Sequence, residues 1–174
     1  MSILEMLSRN AERAEIVASQ DLALVPRLRV VLLTCADHRV DPAHVLGLEL
    51  GDAIVLRNPG GRVTQAFIQD LMVLATIAAA EDIDAVFQIV IMHHTDCGLS
   101  RLDQPGHDSL LASFAGVDTH EVQALQVADP TLAVRYDTAR LDALGVLSTP
   151  VLGLVLDLAT GRVEQHTGSE VGTW

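Results

Sequence analysis

Four stretches of this chain are almost continuously apolar and rich in β-branched residues, and this pattern constrains the fold more than any other feature. They lie at residues 28–34, 52–57, 85–93 and 151–158. Runs of this kind are typical of parallel strands that helices cover on both faces, because neither face of such a strand meets water. The sequence therefore predicts an α/β fold built on buried strands.

Helical segments separate the predicted strands. An alternation of strand and helix predicts a mainly parallel central sheet flanked by helices, with right-handed crossovers. A turn at 159–161 followed by 162–166 predicts an antiparallel edge strand at the C-terminal end. The helical segments are 2–20, which is amphipathic, then 42–46, 65–80 and 130–144, the last with Asp129 as its cap and Pro130 in its first turn.

The length of 174 residues suits one compact domain with a real core. We expect a single domain over 1–174, with residues 1–22 forming an N-terminal helical arm. The apolar helix at 66–80 has few charged side chains, so we expect it to pack in the core.

Charge and hydropathy limit the possible partners. The formal net charge is -12 and all 11 basic residues are arginine, so a nucleic-acid partner is not expected. Residues 1–20 lack a continuous apolar segment of the secretory type, and the most apolar stretch is too short for a bilayer of ~30 Å. We expect a soluble, cytoplasmic protein without a membrane partner. Because the cytoplasm is reducing, a structural disulfide between the two cysteines is disfavoured.

Polar, chemically versatile residues follow two of the predicted strands directly. The first strand runs into CADHR at 35–39, and the third runs into HHTDCG at 93–98. Ligands of open α/β sheets bind outside the carboxyl ends of strands, where the strand order reverses. If these strands are neighbours, ~4.8 Å apart, then Cys35, His94 and Cys97 meet in space. Thiolates and imidazole are the donors that Zn²⁺ prefers, and three protein ligands leave a fourth position open.

A plainer interpretation of the same residues stays open at this point. The two cysteines could be buried thiols near strand ends, and Asp37 with Arg39 could form a loop salt bridge of little energetic value. The joint occurrence of two cysteines, a histidine, an aspartate and an arginine at two strand ends favours the metal site.

The spacing of these residues resembles the paired signature of the β-class carbonic anhydrases. The pattern C-x-D-x-R begins at Cys35, and H-x-x-C-G begins at His94. The segment RNPGGRV at 57–63 resembles the Arg-Asn-x-Gly-Gly segment of that family, and the likeness extends from about 29 to 98. His38 and Pro59 depart mildly from the family pattern, and neither departure removes a ligand.

The resemblance implies an enzyme, a carbonate dehydratase, that binds Zn²⁺ through Cys35, His94 and Cys97. The implied reaction is the reversible hydration of CO₂ to bicarbonate and a proton through zinc-bound hydroxide. In such a site Asp37 orients the zinc-bound water and Arg39 holds Asp37, which can become a fourth ligand when that pair breaks. The resemblance also implies a homodimer or a higher homo-oligomer.

Two other functions stay open. The same zinc site could hydrolyse COS or CS₂, which are linear like CO₂, or the protein could bind zinc without turnover. Of the surrounding residues, Gly60 and Gly61 are expected to allow close backbone approach near the metal. His93 is expected to be a packed or hydrogen-bonded histidine, and Asp96 to bond the amides of its own turn.

Overall fold

Five strands form one sheet in the order β2-β1-β3-β4-β5. The structure is a computed structural model, and it describes residues 2–84, 86–102, 104, 106–125, 128–145, 147 and 150–167. The first four strands are parallel and the last is antiparallel to its neighbour, which confirms the predicted sheet and its C-terminal edge strand. The strands are β1 (Val30–Cys35), β2 (Ala53–Asn58), β3 (Gln88–His94), β4 (Leu152–Leu156) and β5 (Val163–Thr167).

The helices agree with most of the predicted segments. Asp129 caps α5 by accepting a hydrogen bond from the Thr131 amide, as expected. A short helix, α4, was not predicted. Residue 85, at the predicted start of the third strand, and residues 1 and 168–174 of the predicted domain lie outside the described residues. The helices are α1 (Ile3–Ala18), α2 (Pro42–Val45), α3 (Gln65–Ala80), α4 (Asp108–Ala115) and α5 (Pro130–Asp142).

The central strands bury side chains on both faces, as their continuous apolar runs predict. On one face Val31 and Leu33 of β1 pack in a cluster with Val134 and Leu141 of α5. On the other face Leu32 packs in a second cluster. This double burial holds β1 and β3 rigidly in the middle of the sheet.

The strand order reverses at β1, and this places the candidate site. From β1 the chain goes to β2 on one side and later to β3 on the other, so the carboxyl ends of β1 and β3 are adjacent. Thr34 pairs with Met92 at this end, and its hydroxyl donates to the Met92 carbonyl at 2.9 Å. Cys35 and His94 are the last residues of these two neighbouring strands.

The expectation that the apolar helix at 66–80 packs in the core is wrong for most of its side chains. Phe67 is the buried residue of α3, whereas Met72 is 64 % exposed and Val73 is 59 % exposed. Helix α1 has no buried residue, and its apolar side chains are exposed too. Apolar composition does not reveal whether a helix face is covered by its own chain. None of the described helices is both long and apolar enough to cross a membrane.

Candidate metal centre

Three potential metal ligands meet where β1 and β3 end. The sulfurs of Cys35 and Cys97 and a ring nitrogen of His94 all lie within 4.8 Å of one another. Cys35 and His94 are 59 residues apart in sequence (94 minus 35), so the sheet rather than the local chain brings them together. Among the residues that the structure describes, the group contains these three potential ligands and no fourth.

The spacing of the two sulfurs fits a tetrahedral cation. They lie 3.9 Å apart and both cysteines are free. That distance is far longer than a disulfide bond of about 2.05 Å. Two sulfurs bound at ~2.3 Å to one tetrahedral Zn²⁺ would be ~3.8 Å apart. The distance between the sulfurs therefore fits two cysteines that bind one tetrahedral cation.

The imidazole of His94 is oriented as a ligand. Its Nδ1 donates a hydrogen bond to the Thr95 carbonyl at 2.8 Å, so the lone pair is on Nε2. Nε2 is buried and has no hydrogen-bond partner among the described residues. An unsatisfied buried polar atom costs about 1–3 kcal/mol. A bound cation would remove that cost, and the Nδ1 contact is of the kind that orients metal-binding histidines.

The sulfur of Cys35 is positioned to accept hydrogen bonds, as a thiolate does. Its sulfur accepts hydrogen bonds from the backbone amides of Gly60 at 3.2 Å and Asp37 at 3.4 Å. Contact with the Cys97 thiol is the main reason why the pKa of Cys35 falls to about 4, and His94 adds to this against the effect of burial. Contact with Cys35, together with burial, raises the pKa of Cys97. A divalent metal would bind both sulfurs as thiolates.

Two glycines allow the backbone to approach Cys35 closely. Gly60 and Gly61 have φ values of +81° and +64°, a region that favours glycine. A Cβ on Gly61 would lie 2.9 Å from the backbone nitrogen of Cys35. The expected close approach near the metal ligands is therefore present, and it delivers the Gly60 amide to the sulfur.

Asp37 and Arg39 form a fork-shaped pair next to the cluster. The guanidinium of Arg39 donates from Nη2 to Asp37 at 2.7 Å and from Nε to both carboxylate oxygens at 3.0 and 3.2 Å. These bonds hold the pKa of Asp37 well below its usual range. Because its carboxylate is engaged by Arg39, Asp37 is not a member of the ligand group.

Asp96 differs from its expected role. It was expected to bond the amides of its own turn, but its carboxylate accepts hydrogen bonds from two arginine side chains, from Arg39 Nη1 at 2.9 Å and from Arg101 at 3.1 Å. Asp96 has a positive φ of +53°, and its backbone carbonyl also accepts a hydrogen bond from Arg39 Nη2 at 3.0 Å. Arg39 is thus fixed between two carboxylates.

Known proteins share this sequence and this fold. A family model described as carbonic anhydrase matches residues 30–126, more than half of the chain. "Beta-carbonic anhydrase 1" of Mycobacterium tuberculosis is 26 % identical over 149 residues, which cover 84 % of this chain and 86 % of that protein. The crystal structure of carbonic anhydrase from Streptococcus mutans is 31 % identical, with a TM-score of 0.69, and the match covers 96 % of this chain and 99 % of that one.

The chain belongs to the β-carbonic anhydrase family.

A carbon disulfide hydrolase of Saccharolobus solfataricus is also similar to this chain. It is 31 % identical over 100 residues, which cover 57 % of this chain and 46 % of the hydrolase. The family likeness therefore includes a relative named for a different substrate.

Three buried polar residues, His93, Arg62 and Asp137, form a trio beside the Cys35–His94–Cys97 cluster. His93 is 3 % exposed, and its Nε2 lies 3.1 Å from both the Gly61 carbonyl and Asp137 Oδ2, so Nε2 must donate. Arg62 Nε donates to the same Asp137 oxygen at 2.6 Å. Burial alone would raise the pKa of Asp137, but the contacts with His93 and Arg62 outweigh it and the pKa is lowered.

The expectation that His93 is hydrogen-bonded is met in this trio, whereas Asp137 was missed from the sequence. A signal was available, because Asp137 lies at helical spacing from Val134 and Leu141 on the buried side of α5. An ionisable residue on the apolar face of a helix requires a partner.

Proposed function

We propose that this chain is a zinc-dependent carbonate dehydratase that converts CO₂ and water reversibly to bicarbonate and a proton. Cys35, His94 and Cys97 would hold the zinc. The observation that carries the proposal is at the reversal of the sheet, where a ring nitrogen of His94 and two cysteine sulfurs lie within 4.8 Å of one another. The buried Nε2 of His94 has no hydrogen-bond partner among the described residues. Membership of the β-carbonic anhydrase family supports it.

The roles of the neighbouring residues follow from their contacts. Zinc, when bound, would supply a nucleophile from water near neutral pH. Asp37 is ionised at that pH because Arg39 lowers its pKa, so its carboxylate can accept a hydrogen bond from a water beside the cluster and orient it. Arg39 acts as the positioning residue, since its fork keeps the Asp37 carboxylate away from the ligand atoms.

The test is stopped-flow CO₂ hydration of the zinc-loaded protein, of the same protein after removal of the metal by a chelator, and after reconstitution. We expect about one zinc per chain. Activity should be lost with the metal and should return with Zn²⁺ but not with Mg²⁺, because thiolate ligands do not suit magnesium.

The same samples distinguish CO₂ hydration from the two alternative functions, zinc binding without turnover and hydrolysis of COS or CS₂. Stoichiometric zinc without turnover of CO₂, COS or CS₂ would show a non-catalytic zinc protein. Hydrolysis of COS or CS₂ without CO₂ hydration would assign the site to those substrates. The likeness to the carbon disulfide hydrolase spans less than half of that protein, and it does not favour this outcome.

We also propose that the protein forms a homodimer in which α1 packs on a second copy. Ile3, Leu4 and Leu7 of α1 are 66 %, 72 % and 58 % exposed, and no residue of α1 is buried in its own chain. An apolar groove of about 630 Å³ runs beside α3 and is lined by Leu71 and Leu74 among others. Soluble monomers rarely leave apolar surface of this extent uncovered. The α1 helix of a second copy supplies the complementary apolar face.

Light scattering tests the dimer. The wild type should have about twice the mass of one chain. Leu7→Glu should raise the dimer dissociation constant by about tenfold or more, because burial of a leucine contributes about 1.5–3 kcal/mol. Ser8→Glu is the matched control, since it adds the same charge at the next residue without removing an apolar side chain. A wild type that is monomeric at micromolar concentration would refute the dimer.

A further inference from the structure

We propose that Arg62 binds a small oxyanion of the bicarbonate class in the cavity beside the Cys35–His94–Cys97 cluster, and that this contact disfavours CS₂. The inference rests on the proposed function, and it deepens it by naming a residue that sets substrate class. Arg62 is separate from the Asp37–Arg39 pair.

One end of the Arg62 guanidinium has no hydrogen-bond partner among the residues that the structure describes. Arg62 is 3 % exposed. Its Nε donates to Asp137 at 2.6 Å and its Nη1 donates to the Leu125 carbonyl at 2.6 Å. Nη2 is buried and has no hydrogen-bond partner within the described part of the chain. A guanidinium presents its donors in a fixed fork, so the two engaged nitrogens also fix the direction of the third.

The cavity that Arg62 lines is the one that reaches the metal ligands. His94 and Cys97 line it as well, together with Ser100 and Pro130. The centre of a water molecule can move through about 30 Å³ of this space. One water needs roughly 10–15 Å³ by that measure. The cavity therefore has room for more than one water, and a small molecule of the size of CO₂ or bicarbonate could replace them.

The charge around Arg62 determines which class of ligand its Nη2 donor binds most strongly. Asp137 already neutralises the charge of Arg62, so the cavity gains a directed N–H rather than a free positive charge. A charged oxygen makes the stronger hydrogen bond to such a donor. Bicarbonate carries such an oxygen, and it would accept a hydrogen bond from Nη2.

The Nη2 donor disfavours a substrate whose only hydrogen-bond acceptors are sulfur atoms. Sulfur is a weak hydrogen-bond acceptor. CS₂ in this cavity would displace water and leave the Nη2 hydrogens unpaired, which costs binding free energy. Arg62 thus favours CO₂ and bicarbonate over CS₂.

The experiment measures the equilibrium dissociation constant of ¹³C-bicarbonate by NMR for zinc-loaded wild type, Arg62→Lys and Arg140→Lys. Lysine keeps the charge but cannot reach Asp137, Leu125 and the cavity at once, so Arg62→Lys should weaken binding about tenfold. Arg140 is the matched control because its guanidinium also makes two hydrogen bonds, to the backbone carbonyls of Val63 and Ala115, and it is not among the residues that line the cavity. Its variant should stay within about twofold of wild type.

The outcomes separate this inference from the proposed function. A wild type that does not hydrate CO₂ defeats the proposed function. CO₂ hydration by wild type with unchanged bicarbonate affinity in a folded Arg62→Lys defeats the Arg62 assignment alone. Wild-type turnover of CS₂ as fast as that of CO₂ also overturns the assignment.

A second measurement needs no variant, and it decides the question if Arg62→Lys does not fold. Crystals of the zinc-loaded wild type soaked in bicarbonate should show a ligand oxygen at roughly 2.7–3.2 Å from Arg62 Nη2. Water alone at Nη2, with bicarbonate bound elsewhere, would overturn the proposal.

Discussion

His94→Asn should leave the protein without stoichiometric zinc, and CO₂ hydration should fall by more than about a hundredfold. The imidazole would supply the single nitrogen of the proposed three-ligand group, and its buried Nε2 has no hydrogen-bond partner in the part of the chain that the structure describes. Changes to residues that only support ligands already cost about 10–100-fold in metal affinity or activity. Loss of a ligand should cost more. Zinc per chain and stopped-flow hydration are the measurements.

The neighbouring histidine supplies a matched control. His93 is as buried as His94, at 3 % and 2 % exposed, but it lies outside the ligand group and contacts Gly61 and Asp137. His93→Asn should lower the free energy of unfolding while the folded protein keeps about one zinc per chain. If His93→Asn loses its zinc and His94→Asn retains it, the ligand assignment is wrong.

Asp37→Asn should lower kcat/KM for CO₂ hydration by about 10²–10³-fold while zinc content stays near one per chain. The amide keeps the shape of the side chain but removes the charge that Arg39 holds in place. On the proposed function, that charge orients the water. Groups positioned to handle a proton typically contribute about 10²–10⁴-fold. Zinc analysis on the same sample distinguishes loss of this role from loss of metal.

Another arginine–aspartate pair, far from the site, tests whether breaking any such pair lowers CO₂ hydration. Arg27 donates from Nε to Asp52 at 2.8 Å, and Asp52 lies at the opposite end of the sheet, just before β2. Asp52→Asn should change hydration by less than about threefold, because it removes a pair without touching the cluster. Equal losses in the two variants would argue against a direct role for Asp37.

The parts of the fold that follow from local pattern could be predicted from the sequence. Continuous apolar runs with both faces buried indicated the parallel strands, and the polar residues that follow β1 and β3 indicated where a site would lie. The meeting of Cys35 with His94 followed because carboxyl ends of neighbouring parallel strands share one edge. The structure brings these two residues together as expected.

Features that depend on distant packing were missed. The bond between Arg39 and Asp96 depends on a loop with a positive φ, which a single sequence does not specify. The contact between Arg62 and Asp137 joins residues 75 positions apart, and it depends on how α5 crosses the sheet. The exposed apolar side of α3 was assigned to the core because composition does not distinguish a face covered by the same chain from one covered by a second copy.

Zinc K-edge X-ray absorption on the zinc-loaded protein tests the central claim most directly. The account predicts two sulfurs at about 2.3 Å, one imidazole nitrogen at about 2.0–2.1 Å and one further light atom around the metal. A spectrum with no sulfur neighbours, or with only one, would contradict it.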